Sequence, residues 1–171
     1  MLLTNLKWAF SIVELLVVIA LIGIVAAIVA PNMGSWACEE DIKKNSMAMN
    51  YLLQRGRNEA MNIDIDGNNV SRQVLAIMEN RKLNLYSIPR GSCSRRSGTW
   101  IDGKQLDTGI SPNPSSFITC FYPDGSALGS SLTLTKICSG QTLRFKNEVF
   151  GATGFIESTI YNSSTSKWDT L

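Results

Sequence analysis

A single carboxylate, Glu14, stands in the longest apolar run of the sequence. The run FSIVELLVVIALIGIVAAIVA covers residues 10–30, and Glu14 is its only charged side chain. A carboxylate in apolar surroundings costs several kcal/mol unless a cation pairs with it, and such residues usually have a function. The run contains no Lys or Arg. The cation must therefore come from another chain or from a terminal amine.

A cut between Ala9 and Phe10 would supply that cation. The new N-terminus would be a free ammonium on Phe10, four residues before Glu14. When copies of the chain stack, the ammonium of one copy would neutralise Glu14 of its neighbour. The spacing therefore predicts a cycle of cutting, anchoring and stacking.

Cysteine is the second residue type that could do chemistry here. None of the four cysteines forms a C-x-x-C pair, so a metal site or a redox motif is not indicated. An even number of cysteines fits two structural disulfides in an oxidising compartment, and four cysteines permit three pairings. The pairing stays open, although one cysteine lies on a predicted inward helix face and is placed to tie the helix to a sheet. The disulfide candidates are Cys38, Cys93, Cys120 and Cys138.

Composition argues against most enzymes. The 171 residues include no histidine, which removes the commonest general base and most zinc sites. Acidic residues such as Asp102, Asp107 and Asp124 are interpreted as turn formers, and Trp100 as a partly buried core aromatic. With 16 basic and 14 acidic residues the net charge is +2, so bulk charge does not indicate nucleic acid. We expect no enzymatic activity, no cofactor and no metal.

These residues need elements that position them, and the first is a helix. Residues 10–30 would span about 30 Å as a helix, which is the thickness of a bilayer core, so we predict a transmembrane helix there. Lys7, in the short segment before it, favours a cytoplasmic N-terminus. Residues 31–62 continue as an amphipathic helix, with an apolar stripe at Cys38, Ile42, Met49, Leu52, Gly56 and Ala60.

Short strands separated by Gly and Pro turns follow, and they predict a β-rich domain over residues 63–171. Seven strands are expected, over residues 70–78, 82–87, 98–101, 116–122, 131–137, 142–149 and 154–161. The predicted fold class is α+β: a long N-terminal α-helix, with a transmembrane half and an amphipathic half, packed on a C-terminal antiparallel β-sheet or small sandwich. Residues 1–9 are expected to be a cleaved leader.

The N-terminal pattern resembles the class III signal of type IV pilins and pseudopilins. The matching parts are a short basic leader, a small residue before the cut, an aromatic first residue, a glutamate fifth from the cut, and a Pro-Asn at the end of the helix: Lys7, Ala9, Phe10, Glu14, Pro31 and Asn32. Ala9 stands where the family usually has glycine. The resemblance implies cleavage by a prepilin peptidase, N-methylation of Phe10, a register role for Glu14 between subunits, and a kink at Pro31.

The remainder of the chain is most similar to FimT/FimU-type minor pilins and to the related H-type pseudopilins of type II secretion. The similarity lies in the helix-end run RNEA, a cysteine ahead of GTWIDG, the turn FYPDG and a late arginine: residues 57–60, Cys93, residues 98–103, residues 121–125 and Arg144. Major pilins commonly close a loop with two late cysteines. The 33 residues after Cys138 contain none, which favours a minor subunit.

The resemblance implies a low-abundance structural subunit that assembles at the tip of a type IV pilus and helps to initiate it. The expected partners are other pilin and minor pilin subunits, the prepilin peptidase, the inner-membrane assembly platform and membrane lipid. The expected location is the inner membrane, single-pass with a periplasmic C-terminal domain, and the cell surface after assembly. An H-type pseudopilin of a type II secretion system is the alternative.

DNA uptake is the other alternative, because some FimT-like subunits bind DNA through a G-R-x-R motif. Here the corresponding residues 151–157 read GATGFIE, without arginine. A second basic cluster comprises Arg90, Arg95, Arg96 and Lys104, and it is a candidate DNA contact. A solvated loop is the favoured interpretation of that cluster, so DNA is not favoured as a partner.

Overall fold

The computed structural model describes residues 11–62, 72–91, 93 and 98–170, except for the side chains of residues 28–33. The chain divides into two compact units, Met1–Ala37 and Cys38–Leu171, which are described separately below. The sequence predicted boundaries after residues 9, 30 and 62, and those stay predictions.

Helix α1 covers Ile12–Met61. Ser11 caps its start, since the hydroxyl oxygen of Ser11 accepts a hydrogen bond from the backbone N–H of Val13 at 3.3 Å. Leu, Ile, Val and Ala follow, and Leu and Ala are good helix formers. The last turn is closed by a bond from the Asn62 N–H to the Asn58 carbonyl oxygen. Pro31 lies within α1, and the kink expected there stays a prediction.

The structure corrects the prediction that the first half of the helix is transmembrane. No helix in the described part of the chain is long and apolar enough to cross a membrane. A span needs about 20 consecutive apolar residues, and no described helix provides such a run. The predicted fold class, a helix with a transmembrane half packed on an antiparallel sheet or small sandwich, is wrong: no described helix qualifies as a span, and the described strands form two antiparallel sheets.

The described residues form nine strands in two antiparallel sheets. The first sheet has the order β3-β2-β1-β5 and the second the order β4-β6-β7-β8-β9. The strands are β1 (Gln73–Glu79), β2 (Lys82–Ile88), β3 (Thr99–Gln105), β4 (Ser111–Asn113), β5 (Ile118–Phe121), β6 (Ser130–Cys138), β7 (Gln141–Val149), β8 (Ile156–Asn162) and β9 (Lys167–Thr170).

All seven strands predicted from the sequence occur, and two more are present that the pattern did not show. Strand β4 has only three residues and contains Pro112, which suits the edge position where a missing N–H costs no ladder bond. Strand β9 is exposed at all four of its residues, so it has no alternation of apolar and polar side chains. Both are edge strands.

One core joins the Cys38–Met61 part of α1 to both sheets. The apolar stripe predicted on this helix is confirmed, because its apolar residues from Ile42 to Ala60 are buried. Gly56 lies on the same stripe, and a Cβ there would come within 3.2 Å of Leu85 Cδ2, so the glycine allows close packing on the first sheet. The same cluster contains Leu83 and Phe121 of the first sheet and Leu134 and Phe145 of the second.

Candidate assembly surface and the outer face of the first sheet

The start of α1, in the first unit, carries apolar side chains that are exposed on every side. Between Ile12 and Val25 the large apolar side chains keep 44% to 78% of their surface exposed. A helix that is hydrophobic all round is normally buried by something else. This segment, residues 12–25, is the candidate assembly surface.

Glu14 lies in the first turn of α1 and is exposed. Within the described part of the chain, Glu14 makes no ion pair. The cleavage residues Ala9 and Phe10, and hence the predicted ammonium partner, lie outside the described residues. The pairing of Glu14 with a cation from another chain or from a terminal amine stays a prediction.

The four cysteines form two disulfides, Cys38–Cys138 and Cys93–Cys120. The first joins α1 to the end of β6, as the inward position of Cys38 suggested. The second joins β5 to the segment that precedes β3. The sequence left three pairings open, and only the folded chain selects one, because pairing depends on which sulfurs meet in space.

Polar side chains also fix α1 to the two sheets within the second unit. Asn45, which is buried, donates from Nδ2 to Asp107 Oδ2 at 2.8 Å and accepts the Asp107 N–H at 3.2 Å. The hydrogen bond from Asn45 is the main cause that lowers the pKa of Asp107. Burial acts the other way, and the nearby Lys104, Lys44 and Lys136 lower it further. The carboxylate of Asp107 is therefore held in its ionised form.

A second polar connection runs through the core from α1 to β7 and β8. Asn50 Nδ2 donates to Ser158 Oγ at 2.5 Å, and that hydroxyl donates to Asn147 Oδ1 at 2.5 Å. Asn147 Nδ2 then reaches Ser46 Oγ on the same helix at 3.3 Å. Asn147 and Ser46 are fully buried, so each needs these partners to offset the loss of water. The chain of bonds sets the helix on the second sheet.

Two pieces of the sequence that resembled minor pilins meet the run that stands in place of the G-R-x-R motif. Arg57 Nε donates to the carbonyl oxygen of Gly125 at 3.5 Å. A Cβ on Gly154 would lie 2.2 Å from the same oxygen and 3.2 Å from Arg57 Nε. Arg57 belongs to RNEA, Gly125 to FYPDG and Gly154 to the GATGFIE run. These contacts pack the end of α1 against the turn that contains Gly125 and the turn that contains Gly154.

The predicted basic cluster is not brought together among the described residues. Arg90 is exposed in the turn after β2, and Arg95 and Arg96 lie outside the description. Lys104 pairs with Leu83, whose side chain is in the core, so Lys104 projects from the helix side of the first sheet and lies near Asp107. The described geometry gives no support to a DNA contact there.

Sequence reasoning missed an open depression on the opposite, outer face of the first sheet. It has a volume of about 500 Å³ and is lined by residues from β1, β2, β3 and the turn between the first two strands. Trp100, expected in the core, is 54% exposed here. Its exposure follows from an irregularity in the β2–β3 pairing next to Tyr86, which sets Trp100 opposite Tyr86 on the outer face.

No group of three or more acidic or cysteine side chains in the described ranges is arranged to hold a metal ion. Comparison of the chain with protein-family models, with curated proteins and with solved structures gives no match.

Proposed function

We propose that the chain is a minor pilin, a low-abundance structural subunit that assembles at the tip of a type IV pilus and helps to initiate it. The observation that carries the proposal is the candidate assembly surface, residues 12–25, an apolar helix segment exposed on every side with Glu14 as its one charge. Stacking such segments from several subunits buries their apolar side chains and brings each Glu14 toward a neighbour's N-terminus.

The second unit supports the proposal as a binding module that needs no turnover. Its helix is fixed to two sheets by the core, by the Cys38–Cys138 disulfide and by Asn45 and Asn50. A rigid unit of this kind transmits contacts along a filament without a catalytic site. The proposal includes other pilin subunits, the prepilin peptidase and the assembly platform as partners, and places the protein at the inner membrane before assembly and at the cell surface afterwards.

The test is Glu14→Ala in cells that assemble the filament. The replacement removes the charge that pairs with a neighbour's N-terminus, so we expect at least about a tenfold loss of the subunit from sheared filaments, with normal amounts in whole cells. Immunoblots of sheared and cellular fractions measure both quantities.

Glu39→Ala is the matched control, because Glu39 is an exposed acid on the same helix outside the apolar segment. It should incorporate like the wild type. Normal incorporation of Glu14→Ala, or equal loss for both variants, would contradict the register role. Finding the subunit only in filaments of a type II secretion system would favour the H-type pseudopilin instead.

A further inference from the structure

The depression on the outer face of the first sheet has the chemistry of a carbohydrate site, and we propose that it binds a neutral oligosaccharide. It lies wholly within the second unit and does not depend on the N-terminal helix segment. The proposal can therefore be tested independently of the proposed role in a filament.

The depression has an exposed aromatic platform. Trp100 keeps 54% of its surface exposed and lies on an edge strand. The Lys82 ammonium lies 5.8 Å from the centre of the indole, which is a cation–π distance that holds the ring in place. An indole face attracts the weakly positive C–H groups of a pyranose ring, as it attracts the edges of other rings.

The polar groups around Trp100 suit hydroxyls. Asn80, Asn84 and Gln105 line the depression, and each side-chain amide offers both donors and an acceptor. A sugar hydroxyl likewise donates one hydrogen bond and accepts others. Asn84 is only 7% exposed, so its amide is held firmly in the floor. Gln105 Nε2 donates to the Asn80 carbonyl oxygen at 3.3 Å and Asn84 Nδ2 to the Lys82 carbonyl oxygen at 3.4 Å, so both of these strand amides are held in position.

The charges favour a neutral ligand over a nucleic acid. Glu79 and Lys82 are register partners at the ends of β1 and β2, and both line the depression, so their charges balance. Lys104, one of the predicted DNA contacts among the described residues, is on the other face of the sheet. A site for phosphates would need an excess of basic groups instead.

The depression is kept open by a glycine. A Cβ on Gly103 would come within 2.7 Å of Asn84 Oδ1 and 3.0 Å of Lys82 Cε, so any side chain there would displace two lining residues. The volume of about 500 Å³ falls in the range of small-molecule sites, which is about 300–1,000 Å³. Its mouth is open, which suits the end or the side of a longer glycan.

The test is binding of the full chain, in a detergent without a sugar headgroup, to an array of neutral and acidic oligosaccharides and of single-stranded oligo-dT. We expect binding to a subset of neutral glycans, insensitive to salt. Trp100→Ala should weaken it about tenfold or more, and Gln105→Ala should weaken it less, because one hydrogen bond is lost and the platform remains.

Trp168→Ala is the matched control, since Trp168 is a partly exposed tryptophan on the edge strand of the other sheet. It should bind like the wild type. Gln105 is exposed, so Gln105→Ala tests the site even if Trp100→Ala fails to fold. The proposal is overturned if the chain binds no neutral glycan. It is also overturned if Trp168→Ala weakens glycan binding as much as Trp100→Ala does. Salt-sensitive binding to oligo-dT that Trp100→Ala removes would assign the platform to nucleic acid and overturn it as well.

Discussion

Two hydrogen bonds join Asn45 and Asp107, although the two residues are 62 positions apart in the sequence. The Asn45 side chain donates to the Asp107 carboxylate at 2.8 Å and accepts from the Asp107 backbone at 3.2 Å. Asn45 also donates to the Asp41 carbonyl oxygen at 2.8 Å, one turn back in α1. A single buried amide therefore sets the loop after β3 against the helix.

Asn45→Ala is expected to lower the free energy of unfolding by about 1–3 kcal/mol, because the Asp107 N–H loses its partner in a part-buried place. Urea unfolding followed by circular dichroism measures the change. Asn58→Ala, on an exposed position of the same helix, should change stability by less than about 0.5 kcal/mol. Equal effects for the two variants would show that the two hydrogen bonds between Asn45 and Asp107 contribute little to stability.

Asp107 should make stability depend on pH in the acid range. Its pKa in the folded protein is lowered from the ordinary value of 3.8, so the unfolded chain binds its proton first as the pH falls. The stabilisation from Asp107 is fully present at pH values above the ordinary pKa of 3.8, and it is lost as the pH falls through the lowered pKa of the folded protein.

The stability difference between the wild type and Asp107→Asn should therefore shrink as the pH is lowered from about 6 into that range. Chemical unfolding at a series of pH values measures it. Glu40→Gln, an exposed acid on α1, serves as the control. A difference that stays constant over the series would mean that the folded and unfolded pKa values of Asp107 are the same.

The two disulfides should differ in what they contribute. Cys38–Cys138 closes a separation of 100 residues and Cys93–Cys120 one of 27. Since a longer loop restricts the unfolded chain more, the first should stabilise by about 1 kcal/mol more than the second. The pair variants C38A/C138A and C93A/C120A, compared by urea unfolding, measure the difference. Non-reducing peptide mapping checks the pairing, and any other pairing would invalidate the comparison.

Gly154→Ala is expected to destabilise the second unit by about 2–4 kcal/mol. Gly154 has φ +58°, and a Cβ there would lie 2.2 Å from the Gly125 carbonyl oxygen that Arg57 contacts. Gly140→Ala is the matched control, because Gly140 also has a positive φ, +83°, but a Cβ there meets nothing within 4 Å. That variant carries the backbone strain alone, which is about 1 kcal/mol. If the free energy of unfolding falls by the same amount in both variants, the close approach of residue 154 to the Gly125 carbonyl oxygen does not contribute.

The local pattern of apolar residues was enough to predict most helices and strands of the second unit. The stripe from Ile42 to Ala60 and the seven predicted strands follow from apolar periodicity, which depends on residues near in sequence. Periodicity failed at β4 and β9, because edge strands with exposed side chains carry no such signal. It also failed at Trp100, whose outward direction depends on a pairing irregularity between β2 and β3.

The sequence by itself determined the apolar run with Glu14, the helix stripe, most of the strands and the presence of four cysteines able to pair. Only the tertiary structure decided the partition into two sheets, the pairing of Cys38 with Cys138, the contact of Asn45 with Asp107 and the depression around Trp100. The reason is physical: each of these joins residues far apart in the chain, and contacts of that kind are set by how elements pack rather than by the local order of side chains.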